Sequence, residues 1–160
     1  MKRIVIGIDG SAGANEAVES ALELAQAFGA AVTFVCARVV PGAMLGKPYY
    51  GRGLEAEMAH ARAVVRKALE DAAAAGVEAD SEILDSAPAD ALVAVAKTHD
   101  ADLIVVGSRG LGAVHTAIFG SVSKALVARS CTPVLVVKTA SGREPKRDHA
   151  LVDDGAVLSR

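Results

Sequence analysis

Apolar positions along this chain switch repeatedly between two rhythms. Residues 4–8 (IVIGI) are a nearly continuous apolar run, as expected of a strand buried on both faces of a parallel sheet. Asp9, Gly10 and Ser11 end it. Ala14, Ala17, Val18, Ala21, Leu22, Ala25 and Phe28 then recur at helical spacing, with Glu16, Glu19, Glu23 and Gln26 opposite, until Gly29 stops the helix. A second apolar run, 32–37, exits at Pro41-Gly42. The glycine- and proline-rich stretch 41–53, with Tyr49-Tyr50, reads as a long surface loop or flap. Residues 54–75 return to helical spacing (Met58, Ala61, Val65, Ala68, Leu69, Ala72) and end at Gly76. Residues 77–84 alternate apolar and charged positions, which suits an edge strand. Pro88 fits a helix first turn ahead of Leu92, Val95 and Ala96. An apolar run at 103–106 then breaks into Gly107-Ser108-Arg109-Gly110, Gly120-Ser121 opens an amphipathic segment, and Pro133 introduces a last apolar run, 134–137.

The resulting βαβαβαβαβ order predicts a single-domain α/β fold: an open, parallel, five-stranded sheet with right-handed crossovers and helices on both faces. With the alternating third strand outermost, the strand order is 3-2-1-4-5. Winding then reverses between strands one and four, and ligands of open α/β sheets bind at the strand carboxyl ends of such a switch point. Those ends are Asp9-Gly10-Ser11 and Gly107-Ser108-Arg109-Gly110.

Composition narrows the classes. The 160 residues are 52% hydrophobic but only 3% aromatic, with no Trp, so the core must be Ala, Val, Leu and Ile. A formal net charge of -2 leaves no basic footprint for nucleic acid. Cys36 and Cys131 match no metal spacing and read as buried, reduced thiols; the four histidines show no ligand pattern, and no structural metal is expected. No stretch approaches the length of a membrane span, and the start is too short for a signal core, so a soluble, cytoplasmic protein is expected.

The fourth strand and the helix after it carry the candidate chemistry. The first N–H groups of a helix have no intrahelical partner and sit at the positive end of its dipole, so Gly120, Ser121, Val122 and Ser123 form a candidate anion site. Gly107, Gly110 and Gly112 are expected to supply positive φ and close backbone approach to a phosphate. Asp9 suits a ribose hydroxyl or a magnesium ion, or else a helix cap shared with Ser11. Arg109 offers a fixed charge for phosphate, and His115 lies within reach of a γ-phosphate or is structural. There is no G-x-x-x-x-G-K-[ST], no G-x-G-x-x-G in the first βα turn and no G-x-S-x-G, so P-loop, Rossmann-dehydrogenase and esterase readings fail.

The spacing Gly107-x2-Gly110-x9-Gly120-Ser121 resembles the signature of the nucleotide-binding branch of the universal stress protein family. The segments IGIDGS, APADAL, DLIVVGSRG and SVSKALVARSCTPVLVV follow in that family's order. The resemblance runs from about residue 3 to 138. It implies a domain at 1–138; the C-terminal tail, 139–160, departs from the family pattern, its charge cluster at 143–148 arguing for mobility and its apolar stretches 150–152 and 156–158 for docking on a partner. It also implies an ATP site, with Mg2+, formed by Asp9, Gly10, Ser11, Ala37, Val106, Gly107, Arg109, Gly110, Gly120, Ser121, Val122 and Ser123. Ala37 stands where the family's backbone meets adenine, although Cys36-Ala37-Arg38 departs from the common pattern. ATP, AMP and cyclic AMP all remain open as the adenine nucleotide. The wholly apolar last strand at a sheet edge predicts a homodimer, which the resemblance supports. The expected function is nucleotide-dependent stress regulation; a slow ATPase or autophosphorylating protein, with Ser121 or Ser123 as acceptor, and a nucleotide-free dimeric scaffold are the alternatives.

Overall fold

The computed structural model describes residues 1–38, 47–108 and 120–138. Its elements in chain order are β1 (Arg3–Gly7), α1 (Ala12–Phe28), β2 (Ala31–Arg38), α2 (Lys47–Ala74), β3 (Ala79–Asp85), α3 (Pro88–Thr98), β4 (Leu103–Gly107), α4 (Ser121–Arg129) and β5 (Val134–Val137). The strands form one parallel sheet in the order β3-β2-β1-β4-β5, the order expected from the alternation of β3.

Side chains alternate across a strand, and the two cores follow from that. Ile4 and Ile6 of β1, with Val32 and Phe34 of β2, meet Ala17 and Ala21 of α1 and Ala61, Ala68 and Ala72 of α2. Val5, Val35, Ile104 and Val106 point the other way, onto Leu92 and Val95 of α3 and Leu126 of α4. Alanine faces on α1 and α2 let these helices lie close on the sheet, which is how a core with so few aromatic rings is filled.

Local chemistry sets the helix ends. The Ser11 hydroxyl accepts the Ala14 N–H at 3.2 Å and caps α1, and Gly29 closes it in the left-handed conformation, φ 64° and ψ 36°. Pro88 occupies the first turn of α3, where its missing N–H removes no helical bond.

Two expectations are corrected. Residues 47–53, read as part of a loop, are the first two turns of α2. Pro48 is compatible with that position because its ring presets φ and its absent N–H would be unpaired there anyway, while Gly51 and Gly53 cost only about 1 kcal/mol each relative to Ala. The rest of the loop, 41–46, lies outside the described residues, as does the tail 139–160. Cys131, expected to be buried, is exposed between α4 and β5, whereas Cys36 is buried; both are free thiols.

Candidate functional site

The β1–α1 turn is fixed by short-range bonds. The Ile8 N–H still donates to the Val35 carbonyl at 3.0 Å, so β1 stays paired one residue past its end. The Asp9 carboxylate then accepts the Ser11 N–H at 2.9 Å. Gly10 adopts φ 80°, and a Cβ there would lie 2.9 Å from Val64 Cγ2. The turn thus sits directly beneath α2, with Ser11 capping α1 and Asp9 holding the Ser11 N–H.

A cavity of about 500 Å³ opens beside this turn. Asp9, Cys36, Ala37 and Arg38 line it from the strand ends, and Ala56, Glu57, His60 and Ala61 from α2. The His60 Nε2 lies 3.3 Å from the Asp9 carbonyl oxygen, tying α2 to the turn. Burial, reinforced by the negative charge of Asp9 and opposed by Arg38, pushes the Cys36 thiol above its ordinary value, so it stays protonated. Arg38 is 8% exposed. Its Nη2 donates to Asp85 Oδ1, directly across from it on β3, while its buried Nε and Nη1 have no partner among the described residues. The volume lies within the range of small-ligand pockets, about 300–1,000 Å³.

The second part of the site follows β4. Val106 is buried in the core, and Gly107 closes the strand. Gly107 was expected to provide positive φ; it does not, since among the described residues only Gly10, Gly29 and Gly76 are positive-φ glycines. Its missing Cβ serves packing instead. A Cβ at Gly107 would lie 2.6 Å from both the C and O atoms of Gly13 in the first turn of α1.

The Ser108 N–H donates to the Val137 carbonyl and its carbonyl accepts the Gly120 N–H, both at 2.7 Å, so the two ends of the segment between β4 and α4 are tied together. Gly120 caps α4 in an extended conformation with no side-chain capping bond. Ser121 is exposed at the helix start, and Val122 is half-buried. Ser123 is buried, its hydroxyl donating back to the Gly120 carbonyl at 3.1 Å, so it acts within the first turn. The Ser108 hydroxyl is buried without a partner among the described residues. Arg109, Gly110, Gly112 and His115 lie outside the described residues.

Because β1 and β4 are adjacent and parallel, with Ile6 opposite Val105, the Asp9–Ser11 turn and the Gly107–Ser108 exit leave the same edge of the sheet. Asp9 and Ala37 meet in the cavity. Val106, Gly107 and the α4 residues do not line it; they belong to the neighbouring strand end. Sequence reasoning missed Arg38, Glu57 and His60. The signals were a charge closing an apolar strand and a histidine next to Ala61 on the buried stripe of α2.

These features define a doubly wound α/β domain with a ligand-sized cavity at the ends of β1 and β2 and, at the neighbouring end of β4, a helix start whose Gly120 cap makes no side-chain bond. The chain belongs to the universal stress protein family, whose profile matches residues 1–138. A universal stress protein of Thermus aquaticus is 38% identical over 138 residues, covering 86% of this chain and 98% of the relative. The structure of the universal stress protein UspA from Lactobacillus plantarum superposes with a TM-score of 0.75 at 27% identity, over 85% of this chain and 97% of that one. A universal stress protein solved in complex with cAMP is 32% identical, with a TM-score of 0.63 over 85% of this chain and 95% of that one.

Proposed function

We propose that this chain binds an adenine nucleotide at the sheet switch point, that the ligand is ATP with Mg2+, and that occupancy of the site signals in a cytoplasmic stress response. The observation that carries this reading is the pairing of two unlike half-sites on adjacent strand ends: a cavity of base-and-ribose size, and a helix start whose Gly120 cap makes no side-chain hydrogen bond. In this reading Ala37 and its neighbours hold the base, Asp9 accepts a ribose hydroxyl, and the N–H groups of Ser121, Val122 and Ser123 face phosphate with Gly107, Arg109, Gly110 and Gly120 shaping the approach. The related protein with bound cAMP supports the adenine preference.

No group of three or more His, Cys, Asp or Glu side chains suited to a metal occurs among the described residues, so Mg2+ would enter with the phosphates, its usual mode, with Asp9 as the nearby carboxylate. Among the described residues no helix is long and apolar enough to cross a membrane. The β5 edge, with Leu135 36% exposed, supports a homodimer through that strand. Residues 1–138 are taken as the complete binding unit, so removing 139–160 leaves affinity unchanged.

The test is to denature freshly purified protein and identify any released small molecule by chromatography and mass, beside a Gly110→Asp variant. ATP from the original and none from the variant is the expected result. Release of AMP or cyclic AMP alone replaces the proposed ligand, and the absence of any nucleotide together with no response to added ATP leaves the nucleotide-free scaffold.

A second reading rests on the exposure of Ser121 beside the proposed phosphate site. In it the Ser121 hydroxyl attacks the γ-phosphorus, ADP leaves, and the hydroxyl proton passes to solvent. Ser123, buried and engaged, is the poorer acceptor. Incubation with ATP and magnesium followed by intact mass distinguishes the readings: an unmodified chain removes the second.

A further inference from the structure

We infer that Arg38 reads the nucleobase, donating a hydrogen bond to a ring nitrogen of the purine in the cavity. This rests on the adenine-nucleotide reading above and names the side chain that recognises the base. Arg38 ends β2 directly opposite Asp85 on β3, and the carboxylate takes one Nη2 proton. The Arg38 side chain is 7% exposed and lines the cavity, yet Nε and Nη1 have no partner among the described residues. A buried charged donor without an acceptor is strongly unfavourable, and a ligand atom in the cavity is the acceptor the geometry leaves open.

The neighbouring charges decide what kind of atom that is. Asp85 already compensates the positive charge, and Asp9 and Glu57 line the same cavity, so an anionic group finds no net attraction there. The phosphates have the α4 start instead. A guanidinium donates only. It therefore meets N1, N3 or N7 of adenine, never the exocyclic amino group. The neutral Cys36 thiol and the methyl groups of Ala37 and Ala61 leave room for a flat, uncharged ring rather than a second charge.

The test uses the full chain freed of nucleotide, with AMP and its 1-deaza, 3-deaza and 7-deaza analogues titrated into the original protein and an Arg38→Met variant. Methionine keeps much of the apolar stem and removes every donor. Asp85, 53% exposed at its side chain, is left in solvent rather than stranded. The expected result is a loss of AMP affinity of about 10- to 100-fold in the variant, the worth of a charge-assisted hydrogen bond. One deaza analogue should show the same loss with the original protein and none with Arg38→Met, while inorganic triphosphate competes equally well with both. If the original binds AMP and all three deaza analogues equally, the inference is overturned even where Arg38→Met fails to fold. Equal AMP affinity in a folded Arg38→Met variant overturns it too, with a water then serving the orphan donors. An original protein that binds no adenine nucleotide removes the underlying reading and this one with it.

Discussion

Replacing Gly107 by alanine adds one methyl group at the end of β4, and the structure leaves it no room. The added Cβ would lie 2.6 Å from Gly13 C and O and 3.0 Å from Ala14 N, where ordinary contacts begin near 3.4 Å. All three atoms are backbone in the first turn of α1. No rotamer change relieves the clash, so α1 must retreat by most of an ångström or β4 must twist out of register with β1 and β5. Overpacking of a tight site costs about 1–3 kcal/mol, and a contact made wholly with backbone belongs at the upper end, about 3 kcal/mol. For a chain of this length 1 kcal/mol moves the melting temperature by about 2–4 °C, so Gly107→Ala should melt about 6–12 °C lower. Urea unfolding of nucleotide-free protein checks this: the midpoint falls while the slope stays constant. A variant within about 0.5 kcal/mol of the original, the range of an inconsequential surface change, would refute the packing role and return Gly107 to ligand approach alone.

Further outcomes follow from other sites. Ser11→Ala removes the α1 cap and should cost about 1 kcal/mol, read by urea unfolding. Asp102 accepts the N–H groups of Lys2 and Arg3, and these bonds hold its carboxyl below the ordinary value of 3.8. A depressed folded-state value gives stability that is present above 3.8 and lost as pH falls through the lower folded value, so Asp102→Asn should flatten the acid limb of a stability–pH curve below about pH 4 and leave its shape near neutrality unchanged. Iodoacetamide at pH 8 should label exposed Cys131 quickly and Cys36 slowly, because the Cys36 thiol is raised above 9.0, and nucleotide should slow Cys36 further; equal rates by mass mapping count against the buried cavity floor. Leu135→Lys should convert a dimer to monomer in light scattering at micromolar concentration, and a monomeric original protein contradicts the β5 interface.

Much of the architecture is legible in the sequence because each signal is local. Residues 4–8 and 103–106 are apolar on both faces and become central strands, whereas Glu78, Asp80 and Glu82 alternate with apolar residues and mark β3 as an edge. From those patterns the strand order and the switch point follow. What escaped depends on contacts between distant segments. Gly107 looks like a loop glycine until Gly13 is seen against it. The start of α2 hides in a composition of Gly, Pro and Tyr that argues locally for a loop. The α2 wall of the cavity, Glu57 and His60, is defined only once α2 lies over the ends of β1 and β2. Arg38 carried a visible signal, a charge closing an apolar strand, but its orphan donors emerge only with Asp85 placed across from it. Ser123 separates from Ser121 by its inward bond to the Gly120 carbonyl, a contact that only the folded first turn of α4 creates.

The most direct test of the central claim is calorimetric titration of nucleotide-free protein with ATP and magnesium, AMP and cyclic AMP, alongside the melting temperature at saturation. Binding of an adenine nucleotide is predicted, with ATP the tightest; at a hundred times its dissociation constant it stabilises by about 2.7 kcal/mol, raising the melting temperature by about 5–11 °C. No heat of binding and an unmoved melting temperature with all three nucleotides would contradict the account.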